Sequence, residues 1–144
     1  MTQDIDTTQS NIVTLLTQMT TPGSTPMFDD VILGQPYFIP QGNRRVATVQ
    51  PVEEYDFEET NCATHYSEKA SFYINLESAG TSTIATHDIA QITAQVKTAV
   101  KTTPTFMGAC MGSTVNNVRY GEMAGEQKRL TAVSRIELVC DYAY

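Results

Sequence analysis

The stretch Ile136–Tyr144 constrains this chain most. Ile136, Leu138, Cys140, Tyr142 and Tyr144 fall on one side, and Arg135, Glu137, Val139, Asp141 and Ala143 on the other. Successive strand side chains point to opposite faces, so this alternation is a strand with one apolar face. A strand at the end of the sequence is expected to be paired inside a sheet, because otherwise it would fray. The pattern recurs upstream, where Tyr66, Ala70, Phe72, Ile74 and Leu76 alternate with Ser67, Lys69, Ser71, Tyr73 and Asn75. Two such strands commit the fold to a sheet whose apolar face must be covered.

The cover comes from two helices. Ile5, Ile12, Leu15, Leu16 and Met19 share one helical face. Asp6 with Gln9 fits a capping box, and Thr21-Pro22-Gly23 stops the helix. In the second helix Thr86 is the expected cap, Asp88 lies in the first turn, and Lys97 and Lys101 lie in the last. Ile89, Ile92, Val96, Ala99 and Val100 form its apolar stripe, and Thr103-Pro104 ends it. Between the helices, Phe28–Leu33 and Tyr37–Ile39 are short strands or extended pieces, the latter ended by Pro40-Gln41-Gly42-Asn43. Arg45–Glu58 is β-rich but contains Pro51, which cannot donate to a ladder, so this is an edge or a bulged strand. Val115, Val118 and Tyr120 belong to a further strand, followed by a turn over Gly121–Gly125. This order predicts a single α+β domain over residues 1–144, a mostly antiparallel sheet with the two main helices packed against it.

Composition narrows the chemistry. Sixteen acidic against nine basic side chains give a net charge of −7. No basic run exceeds two residues (Arg44-Arg45, Lys128-Arg129), so tight nucleic-acid binding is not expected. The three cysteines are widely spaced and odd in number, which suggests assembly in a reducing compartment. Residues 1–20 lack the basic start and apolar core of a secretory signal, and no stretch approaches the roughly 20 apolar residues of a membrane span. A soluble protein made in a cytoplasm is expected.

Cys62-x-x-His65 has metal-ligand spacing, but a structural zinc site wants a second close pair, and Cys110 and Cys140 stand apart in sequence. Cys62 with His65 or His87 is also a conceivable nucleophile and base, although no strained nucleophile turn flanks them. Gly108–Gly112 lacks the lysine and spacing of a phosphate loop and is a bend. Phe106, Met107 and Met111 beside it are core residues or interface anchors. Glu53, Glu54, Asp56, Glu58 and Glu59 crowd one strand, either as the solvated flank of an edge or as a repulsive wall. No catalytic residue, metal or cofactor is assigned.

The order of elements resembles that of tailed-phage tail terminators and tail-completion proteins of the lambda type. The resemblance rests on an opening helix (Asp6–Met19), a helix before the last hairpin (Thr86–Lys101), and the closing strand AVSRIELVCDYAY with its Val139-Cys140-Asp141-Tyr142 finish. It covers nearly the whole chain in order of elements and includes no invariant motif. It implies a structural protein of the virion, assembled in the host cytoplasm. Its copies would form a ring, a hexamer, that caps the tail tube and joins it to the head–tail connector, while double-stranded DNA passes through without specific binding. The apolar Asp29–Asn43 segment is then expected to lack internal pairing and to contact the neighbouring subunit through Val31, Ile32, Leu33, Tyr37, Phe38 and Ile39, with Arg44 and Arg45 alongside. The five carboxylates would line the lumen and repel phosphate. Two other classes stay open: another head–tail connector or tail-tube protein, and a small α+β enzyme or ligand-binding domain using Cys62 and His65.

Overall fold

The computed structural model describes residues 3–34, 45–59, 66–124 and 130–143. Seven elements follow one another: α1 (Ile5–Gln18), β1 (Asp30–Leu33), β2 (Arg45–Glu59), β3 (Tyr66–Gly80), α2 (Ser82–Thr102), β4 (Gly112–Ala124) and β5 (Leu130–Ala143). The strands make one sheet in the order β1-β2-β3-β5-β4. Every pairing is antiparallel except β1 with β2, which is parallel. The α+β domain with a mostly antiparallel sheet is therefore the observed fold. β5 returns between β3 and β4, so the central strands are the two whose alternation is clearest in the sequence.

Both helices cover the same face. Ala47, Val49, Ala70, Phe72, Ile74, Leu76, Ile136, Leu138 and Cys140 meet Ile12 and Leu16 of α1 and Ile89, Ile92, Val96 and Val100 of α2 in one buried core. α1 lies over β1 and β2, and α2 over β3 and β5. Fully burying each large aliphatic side chain contributes about 1.5–3 kcal/mol, which makes this core the main source of stability. Tyr142 is buried among these residues, and its hydroxyl lies 2.5 Å from Thr8 Oγ1, tying α1 to the closing strand.

Several boundaries differ from the sequence expectation. The cap of α1 is Asp4, whose carboxylate accepts from the Thr7 amide at 2.6 Å and is held below the usual range by that bond. Asp6 instead accepts from the Gln9 side chain at 3.3 Å. α2 begins at Ser82 after Thr81, a full turn before Thr86, so Asp88 lies past the first turn. Gly121–Ala124 is not a turn but part of β4, paired with Leu130–Val133. The expectation that Asp29–Asn43 lacks internal pairing is overturned for its described part: Asp30–Leu33 pairs with Val46–Val49. The sequence hides this because a four-residue parallel strand has no alternation to detect. Tyr37, Phe38, Ile39 and Arg44 lie outside the described residues.

Pro51 satisfies both readings made of it. β1 ends opposite Val49, so among the described strands β2 is an edge beyond it, and the ladder to β3 slips between Pro51 and Glu53.

Candidate interaction surface

The helix-free face of the sheet carries an unusual polar row. Register places Thr48, Asn75, Arg135 and Arg119 across four neighbouring strands, with Val46, Glu77, Val133 and Gly121 in the next row. Asn75 is 5% exposed and Glu77 2%. Among the described residues Thr48 Oγ1, Gln50 Oε1, Asn75 Nδ2 and Glu77 Oε2 are buried without a hydrogen-bond partner. Burial pushes the Glu77 carboxyl up to about 7.

Beside this row is a cavity of about 280 Å³, walled by Asn75, Glu77, Arg119, Gly121, Val133 and Arg135 among others. Gly121 is part of its wall, where a Cβ would lie 3.3 Å from Val133 Cγ2. Arg135 is held in place on two sides: its Nε donates to Asn75 Oδ1 at 2.8 Å, and its guanidinium lies 4.4 Å from the centre of the Tyr73 ring. Arg119 stands directly opposite it on β4. Neither arginine has a carboxylate partner among the described residues, for Glu137, the nearest acid along β5, accepts instead from the Asn117 amide at 3.0 Å. Like charges directly opposite each other are unfavourable across a sheet, and here both side chains are exposed to water.

Among the described strands the two ends of the sheet are open and unlike. At one end the distal part of β2 is exposed from Pro51 to Glu54 and again at Asp56 and Phe57. Phe57 is 54% exposed. Asp56 has the left-handed backbone (φ 55) that aspartate tolerates, at the second slip in the ladder. At the other end β4 has no outer neighbour among the described strands. Tyr120, on this strand, is 58% exposed, and Met107 and Met111 are exposed just before the strand begins. The loop carrying them turns through positive φ at Phe106, Met107 and Gly108, and is held by a 2.8 Å bond from Asn11 Nδ2 to the Phe106 carbonyl.

The residues singled out from sequence are scattered over this framework. Glu53 pairs with Ser71 and Glu54 with Ala70, so these two acids point to opposite faces. Glu58 and Glu59 follow at consecutive register positions opposite Ser67 and Tyr66. Val31 and Ile32 are half-buried and Leu33 is exposed. Arg45 is committed within the subunit: its Nε donates to Asp88 Oδ2 at 2.8 Å and its Nη2 to Asp88 Oδ1, while Ser78 Oγ donates to the same carboxylate at 2.6 Å. This pairing raises the Arg45 pKa further. Cys62 and His65 lie outside the described residues, and His87 is exposed on α2.

Cys110 and Cys140, distant in sequence, meet in the core as free thiols. Their mutual hydrogen bond and burial push the Cys140 thiol far up, which makes it a poor nucleophile. Among the described residues no three His, Cys, Asp or Glu side chains gather as metal ligands, and no helix is long and apolar enough to cross a membrane.

The Arg119–Arg135 pair escaped the sequence reading because its turn was placed too early. The observed register pairs Ala124 with Leu130, and only that register brings the two arginines opposite each other. Comparison with known proteins adds no name to this surface: no family model matches the chain, and no curated protein matches it.

Proposed function

We propose that this chain is a ring-forming structural protein of a tailed-phage particle, of the tail-terminator kind. Its partners are further copies of itself, the tail-tube protein and the head–tail connector, with DNA passing through the ring. The observation that carries the reading is a pair of unlike edges with no neighbour among the described strands, at opposite ends of one sheet: the distal part of β2 and the outer side of β4. Uncovered strand edges are a liability that a stable monomer blunts or covers. Two different edges on opposite sides favour head-to-tail association, which closes into a ring when the rotation per subunit allows it. Exposed Val52 and Phe57 on one edge, and Met111 and Tyr120 at the other, give both contacts an apolar component.

The acidic residues of β2 take a narrower role than a five-carboxylate wall. Because Glu53 and Glu54 point to opposite faces, only one side of the strand is available to a lumen. The other side faces a neighbour or solvent.

The test is the assembly state of the purified protein, by mass in solution and by electron microscopy. Closed single rings are expected. Long tubes would transfer the chain to the tube-subunit class, and a monomer at every concentration, with or without tube protein, would overturn the proposal.

A further inference from the structure

We infer that the hollow walled by Asn75, Glu77, Arg119 and Arg135 binds a small zwitterion, an α-amino acid with a compact apolar side chain. This goes beyond the ring reading and does not rest on it.

Two buried polar groups on one wall carry the argument. Asn75 is 5% exposed and Glu77 2%, and they lie two residues apart on the same face of β3. Asn75 Nδ2, a donor, and Glu77 Oε2, an acceptor, are both buried without a hydrogen-bond partner. Buried polar groups are nearly always satisfied, so an unused donor beside an unused acceptor fits a ligand that supplies one of each.

The wall sorts the ligand's charges. Asn75 Oδ1 accepts from Arg135 Nε at 2.8 Å, which leaves the amide nitrogen for the hollow. The Tyr73 ring holds the Arg135 guanidinium from its other side, and Arg119 stands opposite on β4. This end donates hydrogen bonds and suits a carboxylate, whereas the Glu77 end suits an ammonium. An anion alone would leave Glu77 without a donor, and a cation alone would face two guanidinium groups. Leu76, Gly121 and Val133 complete the wall, and a volume of about 280 Å³ restricts the rest of the ligand to a compact apolar body.

Glu77 links binding to pH. On its face of the sheet it is flanked by Val46 and Thr48 of β2, Asn75 of β3, Val133 and Arg135 of β5 and Arg119 of β4, so no second acid stands beside it among the described residues. Burial pushes its carboxyl up to about 7. A ligand ammonium beside it favours the ionised form, so binding releases that proton and strengthens as the pH rises through 7.

The experiment titrates the full chain with L-leucine by calorimetry, and with amide shifts by NMR to locate the site. Shifts are expected at Asn75, Glu77, Gly121 and Val133. Isocaproate, which lacks the ammonium, and isoamylamine, which lacks the carboxylate, should each bind at least about tenfold more weakly. Leucine affinity should rise about tenfold from pH 6 to pH 8. Glu77→Gln should abolish that rise, and Arg119→Gln, an exposed substitution, should weaken binding about tenfold. The inference is overturned if those amides do not shift up to the solubility of leucine, or if both variants bind like wild type. Isocaproate binding as well as leucine would reduce the hollow to an anion site and sink the zwitterion. If dissociated subunits take leucine and assembled ones do not, the hollow belongs to a subunit contact and the inference falls while the ring stands. A protein that binds leucine and never assembles would leave this inference standing and remove the ring.

Discussion

Within β2, Val46–Val49 is paired on both sides, while Pro51–Glu59 has only β3 beside it among the described strands. Val46, Ala47, Thr48 and Val49 are buried, whereas Val52, Glu53, Glu54, Asp56 and Phe57 are exposed. The change takes two residues. Proline removes a ladder donor, the following slip rotates the strand, and the carboxylates beyond it remain in water. One strand therefore serves two purposes: its first part holds the body together and its second is offered outward.

The largest expected effect breaks the first part. Asp88→Ala leaves the Arg45 guanidinium partly buried without its bidentate partner and strands the Ser78 hydroxyl. Removing one member of a buried pair costs about 3–5 kcal/mol. Urea denaturation should show that loss, and a change under about 1 kcal/mol would mean that this pair does not secure the start of β2.

Glu77, opposite Val46 in the same part of the sheet, gives the next effect with the opposite sign. Its carboxyl rises from an ordinary 4.5 to about 7 in the folded protein. The folded state binds the proton more tightly, so this group stabilises below pH 4.5 and its contribution is lost as the pH rises through 7. Glu77→Gln should therefore leave stability near pH 4 unchanged and raise it by about 1–3 kcal/mol near pH 8. Denaturation midpoints across that range check it. An unchanged pH slope would show that Glu77 titrates like a solvated acid.

Much of this division is written in the residues themselves. The alternation in Tyr66–Leu76 and Ile136–Tyr142 identifies the two central strands, and the proline followed by acids in Pro51–Glu59 marks an edge. The stripe from Ile89 to Val100 locates α2. What escaped depends on partners that a local pattern does not name. β1 is too short to alternate, the Asp4 and Thr81 caps are outcompeted in sequence by equally good candidates, and β4 runs on through Gly121 to Ala124, past the first glycine that suggests a turn. That last displacement hid the cavity and its arginines. Asn75 was legible as part of a polar strand face, but its burial, with that of Thr48 and Glu77 beside it, was not, because alternating polar residues normally signal a face in water.

A paired substitution sharpens the contrast between the two parts of β2. Val49→Ala removes methyl groups from the core and should cost about 1–2 kcal/mol. Val52→Ala, three residues on and exposed, should stay within about 0.5 kcal/mol. Equal losses would show that the distal edge is packed in the monomer and is not presented to a partner.

The smallest effect concerns the carboxylates. Glu53→Gln with Glu54→Gln should change monomer stability by less than about 0.5 kcal/mol, because exposed charges on opposite faces are screened by water and by each other's distance. Thermal melts at low and high salt test this. A marked stabilisation at low salt only would mean that the edge is under strong self-repulsion in the single subunit. The acids would then be held there against a cost, and a cost borne by the monomer must be recovered where those charges meet cations. Near-neutral behaviour places the edge charges outside the balance that folds the chain, and leaves their number and sign to be set by whatever surface they face.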